Sequence, residues 1–302
     1  MAMGGRQRRR NMVGLLFVSP WICGLGLFIL YPFFASILYG FTDYSVLRDP
    51  EFVGTDNYAG IAADPIFWQS LKVVLVFAAF SIPLGVVTAL SLSIMLDAGK
   101  RGVSIYRAIF YLPQLVPTVV VAILWTWLFN AEFGLVNHIL RWPLQTFFGA
   151  RPPGWLASTS WALPALVFMS MWQVGQMTII YLAKIQDVPQ DLYEAAALDG
   201  AGFWSKTWNV TLPQISPIIL FNVVMAIIGC FQVFTEPYIM TGGGPARATH
   251  FLSLYIYKLA FEEYRMGYAC AVALVLFLII LGLTMLALRA ARGRVYYAGE
   301  EA

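Results

Sequence analysis

The sequence predicts an all-α integral membrane protein with six spanning helices, on three observations. Hydrophobic residues make up 60% of the 302-residue chain and charged residues only 12%, whereas a soluble domain carries about 45–50% apolar and about 25% charged residues. Six separate segments are apolar over the length, about 20 residues, that a helix needs to cross a bilayer core. Lysine and arginine crowd alternate connectors, as in a chain that threads back and forth across a membrane. So little polar surface cannot cover a water-exposed globule, and the apolar surface must face lipid.

The elements follow in order. A basic tail of about residues 1–12 carries Arg6, Arg8, Arg9 and Arg10. The first span covers about residues 13–40; it is too long for a secretory h-region and lacks a small-residue cleavage site, so it reads as a retained span. The others cover about residues 73–96, 108–129, 161–183, 215–235 and 267–288, and residues 289–302 form a second tail. Pro20, Pro32, Pro83, Pro113, Pro117, Pro164 and Pro217 fall in or near these spans. In lipid a helix tolerates proline where neighbouring groups re-satisfy the freed backbone. Lys100, Arg101 and Arg107 mark the second-to-third connector, Lys184 and Lys206 the fourth-to-fifth, and Arg289, Arg292 and Arg294 the last tail. The opposite connectors are longer and hold Arg48, Lys72, Arg141, Arg151, Arg247, Lys258 and Arg265. The positive-inside rule then places both termini in the cytoplasm.

The outer connectors are rich in aromatics: Tyr44, Phe52, Tyr58, Phe67 and Trp68 in one, Trp142, Phe147, Phe148 and Trp155 in the next. Such residues suit the membrane–water boundary or an external docking protein. The net charge of +3 is too small and dispersed for nucleic acid. Cys23, Cys230 and Cys270 have no paired spacing and read as small buried hydrophobes. His138 and His250 fall far apart in connectors, so no metal site is expected.

Within these bounds the six spans contain no Asp, Glu, Lys, Arg or His; Glu236, beside Pro237, is the nearest exception. Intramembrane ionisable groups usually mark proton relays and ion-coupled pumps, so their absence argues for a largely neutral solute. Polar residues do occur in the spans: Gln173, Gln176, Asn222 and Gln232, with Trp172 and Phe231 beside them. Amides and aromatic faces suit a sugar, whose hydroxyls need donors and acceptors and whose C–H faces need apolar platforms. The same amides would equally serve hydrogen bonds between helices.

The fourth-to-fifth connector, residues 184–214, is the most informative segment. Pro189, with Asp191 as a cap, opens a short helix over about residues 192–198 whose Glu-Ala-Ala-Ala core has high helix propensity. Gly200 and Gly202 end it, and a second amphipathic helix with Phe203, Trp204 and Trp208 runs to Pro213. Two short helices at an angle make a knob suited to the cleft of a partner.

This segment resembles the EAA loop of ABC importer permeases. Glu194, Ala195, Ala196, Gly200, Val210, Leu212 and Pro213 stand at that motif's intervals, and Val210 replaces the commoner isoleucine. Phe41-Thr42-Asp43-Tyr44, Tyr111-Leu112-Pro113, Thr241-Gly242-Gly243-Gly244-Pro245 and Tyr255-Ile256-Tyr257 look like the carbohydrate-uptake, maltose and glycerol-phosphate type, and the Thr-Gly-Gly-Gly-Pro element resembles its larger permease partner. The resemblance covers about residues 12–290.

What it implies is a six-helix type I permease in the inner membrane, moving a small carbohydrate by alternating access. Implied partners are a different second permease, two cytoplasmic ABC ATPases and an extracytoplasmic solute-binding protein. Glu194 would pair with a basic residue of the ATPase, Ala195 and Ala196 would let the helix seat closely, and Gly200 would set the turn. Asp199, Leu212 and Pro213 join this coupling set. Trp172, Gln173, Gln176, Asn222, Phe231 and Gln232 are the candidate solute pathway. The chain has no phosphate-binding loop of the Gly-x4-Gly-Lys-Ser/Thr kind, so ATP and magnesium belong to partners and no catalytic residue is expected here. A permease for a glycerol-phosphate ester, polyamine or amino acid is the alternative.

Overall fold

The computed structural model describes residues 5–98 and 102–293. Of the basic residues that orient the chain, Lys100, Arg101 and Arg294 lie outside the described residues. The helices are α1 (Gly5–Leu25), α2 (Tyr31–Tyr39), α3 (Asp56–Ala63), α4 (Pro65–Ala98), α5 (Val103–Tyr111), α6 (Thr118–Leu128), α7 (Leu135–Phe148), α8 (Ala162–Met171), α9 (Gly175–Gln186), α10 (Gln190–Leu198), α11 (Phe203–Lys206), α12 (Leu212–Gln214), α13 (Ser216–Phe231), α14 (Thr235–Thr241), α15 (Leu252–Tyr257) and α16 (Met266–Ala291). Two strands, β1 (Thr42–Ser45) and β2 (Arg48–Phe52), interrupt them.

Three helical runs are unbroken and long enough to cross a membrane: Arg10–Tyr39, Pro65–Ala98 and Met266–Ala291. Three more exist as bent pairs: α5 with its following turn against α6 at 98°, α8 against α9 at 40°, and Phe203–Gln214 against α13 at 68°. The third, fourth and fifth expected spans are therefore not straight helices. Proline explains two of the bends. Val116 precedes Pro117 and is held extended, at φ −79° and ψ 127°, because the proline ring excludes the helical region for its predecessor. Pro213 and Pro217 bracket the second bend at Ile215.

The described residues form two compact units. One combines the chain up to Asp64 with Ile256–Val275. Here α1 starts at Gly5, inside the stretch read as a tail, and leads through a π-helical turn (Gly26–Leu30) into α2. Cys23 is exposed on α1 rather than buried. The antiparallel β1–β2 hairpin, with Thr42 opposite Phe52, is a feature the apolar pattern did not announce. Asn57 fastens it, its Nδ2 donating to the carbonyls of Gly40 (3.0 Å) and Thr42 (2.9 Å). Gly267 packs so tightly on the backbone of Thr42 that a Cβ there would overlap the carbonyl oxygen.

The second unit, Pro65–Tyr255 with the chain from Leu276, is organised on α4. Ser81, Gly85, Ala89 and Ser93 lie four residues apart on α4 and are buried. Small residues in this spacing let helices approach closely where no hydrophobic driving force separates protein from lipid. Against them pack α8, α9 and α13. Ser93 Oγ donates to the Thr178 carbonyl of α9 at 3.0 Å, and Ser81 Oγ lies 3.4 Å from Cys230 Sγ of α13. Between α6 and α8 the aromatic-rich connector folds as α7, held by the buried Asn137. Its Nδ2 donates to the carbonyls of Ala131 (3.0 Å) and Pro153 (3.2 Å), and its Oδ1 accepts from Trp155 Nε1 (2.6 Å). His250, expected in a polar connector, is buried with Nδ1 2.8 Å from Ser70 Oγ. Within the glycine run Gly243 (φ 89°) is buried, and a Cβ on it would strike His250 and Leu254.

Candidate functional site

The second unit has two features of functional interest. The first is a cavity of about 480 Å³ walled by α4, α8, α9, α13, α14 and the 3-10 turn Leu112–Leu115. Its volume lies within the roughly 300–1,000 Å³ of small-molecule sites. Most of the wall is apolar, with Phe77, Ile82, Met177, Phe221 and Met225 among its residues. Into this wall project Gln114, Gln173, Gln176, Asn222, Ser81 and Glu236.

Helix breaks supply several of these polar groups. Gln173 falls in the interruption between α8 and α9, where backbone direction changes and a side chain can leave the helix stripe. Gln114 stands between Pro113 and Pro117 at the 98° bend, and its Nε2 donates to Gln176 Oε1 at 3.4 Å. Gly175 makes that approach possible: a Cβ on it would overlap the carbonyl oxygen of Phe110. Asn222 is buried on α13 and its Nδ2 donates to the Ile218 carbonyl at 3.0 Å, leaving its Oδ1 as an acceptor.

The other expected pathway residues lie elsewhere. Trp172 packs edge-on against Trp125 at 6.0 Å between ring centroids and does not line the cavity. Phe231 is fully buried and its carbonyl accepts from Ser253 Oγ at 2.9 Å, a packing role. Gln232 is the C-cap of α13, is exposed and does not line the cavity. The structure thus brings together Gln173, Gln176 and Asn222, and adds Gln114 and Glu236, which sequence reasoning left out. Gln114 had a signal, a polar residue between two prolines inside an apolar run. Glu236 was seen, but set just beyond the fifth span.

The second feature is the knob formed by residues 190–214. Helix α10 begins at Gln190, two residues earlier than the sequence suggested. Pro189 is its N-cap, while Asp191 sits in the first turn and does not cap it. Gly200 adopts φ +80°, Gly200 N donates to the Ala197 carbonyl (3.0 Å) and Ala201 N to the Ala196 carbonyl (2.9 Å). This is the Schellman arrangement. It explains the motif spacing physically: a glycine four residues after Ala196 lands where the helix must turn left-handed. Gly202 is instead extended (φ −75°, ψ 179°) and starts the next helical run. That run passes through a π-helical turn (Thr207–Thr211) and includes Pro213.

The knob is pinned to α4, α9 and α13. Ile185, Val188 and Ile215 form a buried cluster against Leu90, Ile94, Tyr193, Leu212 and Ile218. Tyr193 Oη and Thr211 Oγ1 share a hydrogen bond of 3.0 Å. Outward the knob is apolar: Leu198 is 91% exposed, Trp204 71% and Trp208 65%. Glu194, Ala195 and Asp199 are exposed, Ala196 is half-buried, and Leu212 and Pro213 are partly buried in the second run.

Residues 65–293 match the family described as the binding-protein-dependent transport system inner membrane component. The chain belongs to this family. It is 32% identical to the trehalose/maltose transport system permease protein MalF of Thermococcus litoralis, over 95% of this chain and 96% of that protein. It is 34% identical to the lactose transport system permease protein LacF of Rhizobium radiobacter, over 95% and 97%. In structure it resembles a chain of a bacterial ABC transporter involved in the import of the acidic polysaccharide alginate. That TM-score is 0.81, at 24% identity over 94% of this chain and 96% of the other. Family membership makes the chain a multi-pass membrane subunit of a transport system, with the fold of a type I ABC importer permease.

Proposed function

We propose that the chain is the pathway-forming permease of a sugar importer, carrying a small saccharide inward through the amide-lined cavity. Power comes from ATP hydrolysed, with magnesium, on partner subunits. One observation carries this reading: the helices that wall the cavity also hold the knob. Helix α4 offers Ser81 and Gly85 to the cavity and Leu90 and Ile94 to the knob. Helix α9 offers Gln176 and Ile185, and α13 offers Asn222 and Ile218, in the same way. A displacement of the knob is therefore carried along stiff helices into the cavity wall.

Leu198, Trp204 and Trp208 give the knob an apolar surface that a cytoplasmic ATPase cleft would bury, with Glu194 beside it to pair with a basic residue. This reading puts both termini in the cytoplasm and makes the subunit itself non-catalytic. The remaining partners are a second, different permease and an extracytoplasmic solute-binding protein. Relatives named for trehalose/maltose and lactose transport support a saccharide cargo.

The test is co-expression of the chain with its candidate second permease, ATPase and binding protein, followed by purification and reconstitution in vesicles. The expected result is a stable complex taking up a neutral disaccharide, maltose or lactose, only with ATP and binding protein. Recovery of the subunit without any ATPase overturns the reading.

A further inference from the structure

Glu236 lies in the first turn of α14 and forms part of the cavity wall. Among the described residues lining that cavity there is no Lys, Arg or His. The ion pairs found among the described residues, Lys184–Asp187 and Arg265–Glu263, do not involve it. The wall therefore combines neutral amides, hydroxyls and apolar side chains with a carboxylate that no basic group offsets. We propose that Glu236 sets the charge selectivity of the cavity. It admits neutral and amine-bearing saccharides and turns away those carrying carboxylate, sulfonate or phosphate groups. The inference rests on the cavity being the solute pathway, and it separates saccharides from the glycerol-phosphate ester left open by the sequence.

The physical argument has two parts. A carboxylate only accepts hydrogen bonds, and it accepts strongly from hydroxyl and ammonium donors. The surrounding amides can donate to sugar oxygens, so a neutral sugar finds both kinds of partner. An anionic group, by contrast, meets like charge between low-dielectric walls, where fields are focused rather than screened. Over distances of a cavity's width, opposite unit charges should differ in local concentration by on the order of tenfold.

Cys230 lines the same cavity and supplies a probe independent of the cargo's identity. The full-length subunit, in membranes, is treated with a cationic or an anionic methanethiosulfonate reagent of similar size. Modification of the Cys230 peptide is followed by mass spectrometry. The ratio of the two rates cancels the intrinsic reactivity of the thiol. The cationic reagent is expected to react about tenfold faster in the native protein. The isosteric Glu236→Gln should bring the ratio close to one, and Glu236→Lys should invert it. An unchanged ratio in Glu236→Gln, a native ratio of one or less, or a Cys230 unreactive to both reagents overturns the proposal. None of these outcomes depends on ATPase assembly, so the importer reading can stand while this inference falls.

Discussion

The knob and the cavity both rest on helices α4, α9 and α13, yet they are built by opposite means. The knob is assembled from neighbours in sequence: a helix, a left-handed glycine, a second helical run and one hydroxyl pair. Only an apolar cluster joins it to the rest. The cavity is assembled from residues far apart in the chain, Ser81, Gln114, Gln176, Asn222 and Glu236, brought together by helix breaks and close backbone approaches. The difference teaches that the geometry of the knob is locally encoded, while the cavity depends on the whole packing of the unit.

Gly175 is where the two regions are most easily broken together, because α9 carries both Gln176 and Ile185. Its Cα faces the Phe110 carbonyl with no room for a side chain. Gly175→Val should destabilise the subunit by about 3 kcal/mol or more, the upper end of overpacking costs. Thermal stability and monodisperse yield in detergent would report it. A variant of native stability would show that α9 does not rest on that carbonyl.

The comparison is next broken at the knob alone. Proline fixes φ near −65° whereas Gly200 stands at +80°, so Gly200→Pro must reorganise the turn. Glu194→Lys leaves the turn intact but reverses the charge beside it. Both should lower ATP-driven uptake at least about tenfold, a loss of roughly 1.4 kcal/mol of coupling, while the subunit remains in the membrane. Normal uptake in both variants would remove the knob from the transport cycle.

At the cavity the effects are smaller. Gln176→Leu removes the acceptor for Gln114 Nε2 and one amide from the wall. A net hydrogen bond contributes about 0.5–1.5 kcal/mol, so half-saturation for the sugar should rise by about three- to tenfold. ATPase assembly should not change. If uptake and assembly fell together, the cavity and knob would not be separable.

The same contrast explains what the sequence made legible. Six apolar segments and the alternation of basic connectors are strong periodic signals, and three unbroken helical runs with three bent pairs have the length and composition to cross a membrane. The Glu-Ala-Ala-x3-Gly spacing was legible because it encodes a local cap, and Gly200 takes the left-handed conformation this requires. The cavity was half legible. Gln173, Gln176 and Asn222 were flagged as polar groups in apolar runs, but so were Trp172, Phe231 and Gln232, which point elsewhere. Polarity alone does not say which way a residue faces once a helix is broken. The bends at Val116 and Ile215 rotate the following turns, and no fixed helical period carries across them. Glu236 was set outside the membrane segment for a related reason: α13 ends at Phe231, and α14 returns the chain to the cavity.

The smallest effect offers the sharpest comparison. Tyr193→Phe deletes only the hydroxyl that meets Thr211 Oγ1 at 3.0 Å across the knob, and leaves the ring in its apolar cluster. Thr211 is itself buried, so its hydroxyl loses a partner that water cannot readily replace. The expected cost is about 1 kcal/mol, confined to the pairing of the two knob helices. Amide exchange over residues 190–214 should therefore quicken up to about tenfold, with exchange in α4 and α13 unchanged. Uptake should stay within about twofold of normal, because the apolar cluster that joins the knob to α4, α9 and α13 is left intact. A loss of uptake as large as that of Gly200→Pro would mean that the angle between the knob helices governs coupling. The turn at Gly200 would then matter only as the means of setting that angle.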